Sequence, residues 1–364
     1  MRISSVDTFP IVLPLVKPIK MSHITIERSE NVLVRITTDT GIVGWGEGVE
    51  ATDITGDEQT RILGSLEFLG PRLVGMDPLR RTELWHRMRS MIVGNETGIS
   101  AIDMALHDIA GKAYGVSASQ LIGGPVRDVV PALTMVGSGN PAADGETAAA
   151  KFAAGFRWFK LKLGIADPDT ELETVHNVLE AVGPDSVVCG DANQGWTEQE
   201  SIRFLGRLAG LPIRFIEQPV PKGDHASMMR VAAASPVPIC ADQSVDTFAD
   251  IVLYGASAVA GVSLKAIKQG GITGLMRGAA LCDTVGLSIN LAGKIAGSSV
   301  AAAADVLSAS AMHAVDYGCS PGNQGIAEDV TESPLEIAEG VVEVPTSPGL
   351  GIEVDETKVQ KLAP

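Results

Sequence analysis

Five apolar runs, each ending in charged or carboxamide residues, follow one another through the middle of the chain. They are WFKLKLG (158–164), VVCGDANQGW (187–196), IRFIEQP (213–219), VPICADQS (237–244) and VAGVSLKAIKQGG (259–271). The ionisable residues Lys162, Asp191, Glu217, Asp242 and Lys265 lie 29, 26, 25 and 23 positions apart. Such a step accommodates one strand, one helix and two loops. Between the runs, 170–182 places Leu172, Val175, Val178, Leu179 and Val182 on one helical stripe, and 198–208 and 272–285 behave similarly. Short strands alternating with amphipathic helices predict a parallel sheet with crossover helices. Repeated about eight times, the unit closes into an α/β fold, a (β/α) barrel, whose active site lies at the strand C-terminal ends. The ionisable residues fall at those ends.

Outside this pattern, residues 1–128 read as an α+β unit: two strands (3–13 and 32–38) and then several helices, the last at 99–114. The strand VVPALTMV (129–136) is expected to open the barrel, which runs to about residue 324. The segment 325–364, with VVEVP (341–345) and GLGIEVD (349–355), reads as strand and loop returning to the first unit. A formal charge of −16 with no basic stripe argues against nucleic acid or an anionic membrane as partner. Four scattered cysteines without a C-x-x-C pair predict buried thiols. The opening MRISSVDTFPIVLPL alternates like a strand and lacks a signal-peptide core, and Lys294 and Asp305 interrupt the apolar stretch 287–307. A cytoplasmic protein that does not span a membrane is expected.

Asp191, Glu217 and Asp242, at the ends of three successive strands, bring three carboxylates together. Their mutual repulsion calls for a cation. An all-oxygen donor set suits Mg²⁺, with Mn²⁺ as substitute, and the lack of His or Cys argues against zinc. Lys160 and Lys162 share one strand face, and Lys265 stands on the far side of the carboxylates. Adjacent ammonium groups are expected to lower one another's pKa towards the range of a general base. The chemistry such a site serves is removal of a proton next to the carboxylate of a small molecule, with the resulting enediolate stabilised by the metal.

In order and spacing, Lys160-x-Lys162, Asp191-x-Asn193-x-x-Trp196, Phe215-Ile-Glu217-Gln-Pro219, Ala241-Asp242-x-Ser244 and Leu264-Lys265 with Gly270-Gly271 resemble the muconate lactonizing enzyme subgroup of the enolase superfamily. Val43-Gly44-Trp45-Gly46-Glu47 and the helix around Asp103 and Asp108 resemble its capping domain. The resemblance implies a modified TIM (β/α) barrel with an α+β cap. It implies metal ligation by Asp191, Glu217 and Asp242, acid/base roles for Lys162 and Lys265, and an electrostatic role for Lys160. It further implies homo-oligomerisation and substrate selection by cap loops at 20–25, which hold Lys20 and His23, and at 51–58. With Lys265 on the sixth strand, the His-Asp pair of the mandelate racemase branch and of sugar acid dehydratases is absent, which leaves a cycloisomerase or a racemase/epimerase as the expected activity. Three further departures limit the assignment and argue against a dipeptide substrate. Gln243 stands where the subgroup often has Glu, Lys294 where relatives carry an acid, and Asp316 alone where dipeptide epimerases carry two Asp. Lys294 is accordingly expected to bind a distal anionic group of the substrate.

Competing readings are specific. Lys268, expected in a loop three residues past the strand, is a rival base. Asn193 either contacts substrate or fixes its loop, and Trp196 reads as core packing. Gly137-x-Gly139-x-x-Ala142 matches a dinucleotide fingerprint, but Pro141 interrupts it and the next strand ends in lysines. β-Elimination, or an inactive binding protein, are the alternative functions.

Overall fold

The computed structural model describes residues 1–20 and 25–364, with side chains other than those of Ile19, Lys20 and Thr25. Strands β1 (Ile3–Lys20), β2 (Thr25–Thr38) and β3 (Val43–Gly48) form an antiparallel sheet in that order. The first two are longer than the alternating runs that predict them. Four helices follow, α1 (Gln59–Leu73), α2 (Arg81–Met91), α3 (Glu96–Tyr114) and α4 (Ala118–Leu121). Helix α3 lies directly on β3, and two glycines make the approach possible. A Cβ on Gly46 would stand 1.9 Å from the Ala101 carbonyl oxygen, and one on Gly44 2.3 Å from that of Ala105.

The expected strand 129–136 divides in two. Strand β4 (Val129–Pro131) pairs antiparallel with residues 341–343, and β5 (Leu133–Val136) begins the barrel. The change of partner falls at Ala132, whose amide still donates to the Gly340 carbonyl while the residue bridges to Cys319 of the barrel. The barrel then runs α5 (Pro141–Ala153), β6 (Trp158–Lys162), α6 (Pro168–Val182), β7 (Val187–Asp191), α7 (Glu198–Arg207), β8 (Ile213–Glu217), α8 (His225–Ala234) and β9 (Ile239–Ala241). It continues with α9 (Phe248–Gly255), β10 (Gly261–Leu264), the one-turn α10 (Ala266–Gln269), α11 (Ile272–Val285), β11 (Ser288–Ala292), α12 (Ser299–Ala311) and β12 (Cys319–Ser320). The eight strands are hydrogen-bonded in sequence order, and a parallel bridge from Ala132 to Cys319 brings the two edges together. Local chemistry sets the helix starts. Asp167 caps α6 with Pro168 in its first turn, while Thr197 with Glu200 and Thr247 with Asp250 form capping boxes on α7 and α9.

After the barrel, β13 (Val341–Glu343) completes the two-stranded pairing with β4, and α13 (Glu356–Lys361) lies against the first sheet. There the Val12 amide donates to the Leu362 carbonyl, and Arg35 pairs with Glu356 at 2.8 Å. Among the described residues, no helix is long and apolar enough to cross a membrane.

Candidate active site

Alternation along the barrel strands builds the site in layers. Cys189, Phe215 and Cys240 cluster with Leu133 and Tyr317, and the Phe215 and Tyr317 rings stack at 4.3 Å. Two residues further along, Asp191 and Glu217 on their strands and Asp242 just past β9 face a cavity of about 80 Å³ that Lys160, Lys162, Lys265, Asn193, Gln243 and Lys294 also line. An apolar plug thus lies beneath a floor of charge. All four cysteines are buried and unpaired, as expected, and burial pushes the Cys189 and Cys240 thiols well above their usual range.

Each carboxylate is matched to one lysine. Lys160 Nζ lies 2.5 Å from Glu217 Oε2, Lys162 Nζ 2.7 Å from Asp191 Oδ2, and Lys265 Nζ 2.7 Å from Asp242 Oδ1. The three carboxylates are at most 3% exposed. Burial alone would raise Glu217, but the Lys160 and Lys265 ammonium groups more than reverse this and hold it at about 2. Burial would lower Lys160 and Lys265, but Glu217 with Asp191 in the first case, and Asp242 with Glu217 in the second, raise both. The depression of pKa expected between Lys160 and its neighbouring ammonium group therefore does not hold for Lys160. The nearest charge to it is a carboxylate at ion-pair distance, and it outweighs a more distant like charge.

Among the described residues, no three His, Cys, Asp or Glu side chains are gathered tightly enough to hold a metal ion as they stand, and each of the three carboxylates pairs with a lysine. The donor chemistry nevertheless fits a hard divalent cation. Asp191 and Glu217 are register partners on adjacent strands, all donors are carboxylate oxygens, and the buried Asp242 Oδ1 meets Lys265 without the alignment of a hydrogen bond.

Several polar residues support this floor, and sequence reasoning assigned them no role. Ser263 Oγ donates to Glu217 Oε1 at 2.5 Å, and Asn290 Nδ2 donates to Ser263 Oγ at 2.8 Å. Gln218, with φ of 36° and no exposed surface, accepts the Asp242 and Ser244 amides on its Oε1 and donates from Nε2 to Ser244 Oγ. The signal available for Ser263 and Asn290 was a polar residue at an inward position of an apolar run. For Gln218 it was a carboxamide between the Glu217 ligand candidate and a proline.

Lys268 lies on α10 rather than in a loop. Its buried Nζ donates to the Asp242 and Gln243 carbonyls at 2.9 and 3.3 Å and pairs with Asp246 at 3.2 Å, so it fixes the loop behind Asp242. Asn193 Oδ1 accepts from Lys162 Nζ at 2.8 Å, and its amide donates to Asp191 Oδ1, which gives it a structural part at the cavity wall. Trp196 packs on Phe204, as expected of core. Asn140 caps α5, with Pro141 at its start, and a Cβ on Gly137 would stand 2.5 Å from Lys162 Cβ. The glycine-rich turn therefore makes room for Lys162 and caps a helix. His23 lies outside the described residues, as does the side chain of Lys20.

Carboxylates on β7 and β8 and just past β9, flanked by lysines on β6 and after β10, define a barrel enzyme acting at one end of its strands. Residues 5–123 match the family described as mandelate racemase / muconate lactonizing enzyme, N-terminal domain, and residues 144–358 match the enolase C-terminal domain-like family. The chain belongs to the mandelate racemase / muconate lactonizing enzyme family of the enolase superfamily and is an enzyme of the isomerase class. It is 32% identical to a chloromuconate cycloisomerase of Cupriavidus necator over 99% of this chain and 98% of that one. The crystal structure of N-succinyl Arg/Lys racemase from Bacillus cereus superposes with a TM-score of 0.94 at 28% identity, covering 100% of this chain and 98% of that one. A dipeptide epimerase from Enterococcus faecalis, complexed with Mg and the dipeptide L-Leu-L-Tyr, superposes with a TM-score of 0.92 at 25% identity over 97% of this chain and all of that one.

Proposed function

We propose that the protein catalyses a 1,1-proton transfer, racemisation or epimerisation, at the carbon next to the carboxylate of a small molecule. The observation that carries this reading is the placement of Lys162 and Lys265 on opposite sides of the row Asp191, Glu217, Asp242 within one cavity. Asp191, Glu217 and Asp242 would hold a divalent cation, Mg²⁺ with Mn²⁺ as substitute. Bound there, the cation supplies positive charge against the negative charge that develops on the substrate carboxylate as its α-proton leaves.

Lys162 and Lys265 approach the α-carbon from its two faces. One, uncharged, accepts the proton into its amine lone pair; the other, as ammonium, returns a proton to the opposite face, and the stereocentre inverts. Lys265 is held charged by Asp242 and Glu217. Once those carboxylates are otherwise engaged, burial acts unopposed and lowers its pKa towards that of a base. Lys160, on the floor beside Glu217, is assigned an electrostatic part and no proton transfer.

Cycloisomerisation is the second reading, favoured by full-length similarity to a chloromuconate cycloisomerase. α-Proton exchange in D₂O, followed by NMR on N-acyl and N-succinyl amino acids and unsaturated dicarboxylates, separates the two. Inversion requires both lysines. Lys162→Ala and Lys265→Ala should each abolish racemisation, each leaving exchange of one enantiomer only. If one lysine is dispensable for all turnover, 1,1-proton transfer is excluded. If no carboxylate exchanges in the magnesium-loaded wild type, the proton-abstraction reading falls.

A further inference from the structure

One side of the active-site cavity is walled by Lys294, in the turn after β11, and by Asp53 and Ile54 from the loop between β3 and α1. Lys294 is 8% exposed, and its only ionic partner among the described residues is Asp53 Oδ1 at 3.4 Å. On their outer side the same two residues border a second cavity of about 500 Å³, lined by Glu27, Arg28, Glu30 and Glu50. The pair therefore stands as a partition between the reacting floor and the outside. Its two members are held differently. The Lys294 side chain is buried in a turn of the barrel, whereas Asp53 is 24% exposed on a loop of the cap.

This asymmetry decides what the pair can exchange for. An incoming anion that displaces Asp53 lets that carboxylate return to water at small cost, and the buried ammonium keeps a counterion. An incoming cation that displaced Lys294 would strand a buried charge, which is costly. We propose that Lys294 is the recognition group for a second anionic group on the substrate, a distal carboxylate that takes the place of Asp53. The proposal rests on the carboxylate chemistry proposed above and adds to it the substrate class, a compact diacid.

The test is calorimetric titration of the magnesium-loaded protein with succinate, glutarate and adipate and with the half-amide of each, which keeps the shape and removes one charge. Wild type should bind at least one diacid ten or more times more tightly than its half-amide. Lys294→Met should abolish that preference, and Asp53→Asn should tighten diacid binding severalfold by removing the competing counterion. Equal affinity of wild type for every diacid and its half-amide overturns the proposal. So does equal weakening of both by Lys294→Met. If that variant does not fold, Asp53→Asn decides alone: tighter diacid binding supports the proposal, and unchanged or weaker binding overturns it. Exchange of monocarboxylate α-protons without any diacid preference defeats only the Lys294 assignment, whereas absence of exchange from every carboxylate defeats the function itself.

Discussion

At the scale of single residues, the charged floor is a set of matched pairs, and its members differ in what their loss should do. Lys265→Ala removes a proton-transfer group and is expected to lower kcat/KM for racemisation by about 10³-fold or more, to background, measured by steady-state polarimetry on any substrate that exchanges. Asp305, on α12 behind Gly293, is a buried acid with no part in the proton transfer. Burial, helped by Glu47 and opposed by Lys265, pushes it up to about 8. Because its folded pKa is raised, its contribution is fully present below the unfolded carboxylate pKa, near 4, and is lost as pH rises towards 8. Asp305→Asn abolishes that slope. Urea unfolding should show the variant gaining on wild type by more than about 1 kcal/mol between pH 5 and pH 8, and parallel profiles would exclude the assignment. The pKa directions of Lys160 and Lys265 were not legible in the sequence. Strand alternation tells which side chains share a face, but not that a carboxylate from a neighbouring strand comes nearer than the second lysine.

At the scale of elements, the fit of β3 under α3 depends on the absence of side chains at Gly44 and Gly46. Gly46→Ala places a methyl group 1.9 Å from a helix carbonyl, where nothing flexible can yield. It is expected to cost about 3 kcal/mol or more, visible as a drop in urea midpoint. Most of the barrel was readable, because an apolar run that ends in a charge marks both a strand and its C-terminal end, and helix stripes and caps are local signals. Helix 272–285 is found with those bounds, and α6 and α7 differ from expectation by two residues and one. What escaped was non-local. The split after Pro131 depends on a partner more than 200 residues away, Val341, and the support by Ser263, Asn290 and Gln218 depends on the register of neighbouring strands.

At the scale of the whole molecule, Glu47 ties the first sheet to the barrel. Fully buried on β3, its carboxylate accepts the Ser298 and Ala301 amides and the Ser298 hydroxyl at the start of α12, with Asn31 donating to its other side. Glu47→Ala leaves those donors without an acceptor and should lower stability by about 3 kcal/mol, measured as a fall in thermal midpoint. A second tie runs through the late part of the chain. Residues 325–327 bond to Val16 and Pro14 of β1, Gly349 packs against Asp108 and Gly111 of α3, and Leu362 accepts the Val12 amide. Ribosomal synthesis delivers β1 and α3 some hundreds of residues before these partners. The amino-terminal sheet therefore leaves the ribosome with part of its apolar surface bare, and it must wait for the entire barrel to be translated before it is covered. During that interval the nascent chain offers a binding site to chaperones and a risk of aggregation, which the finished enzyme no longer carries.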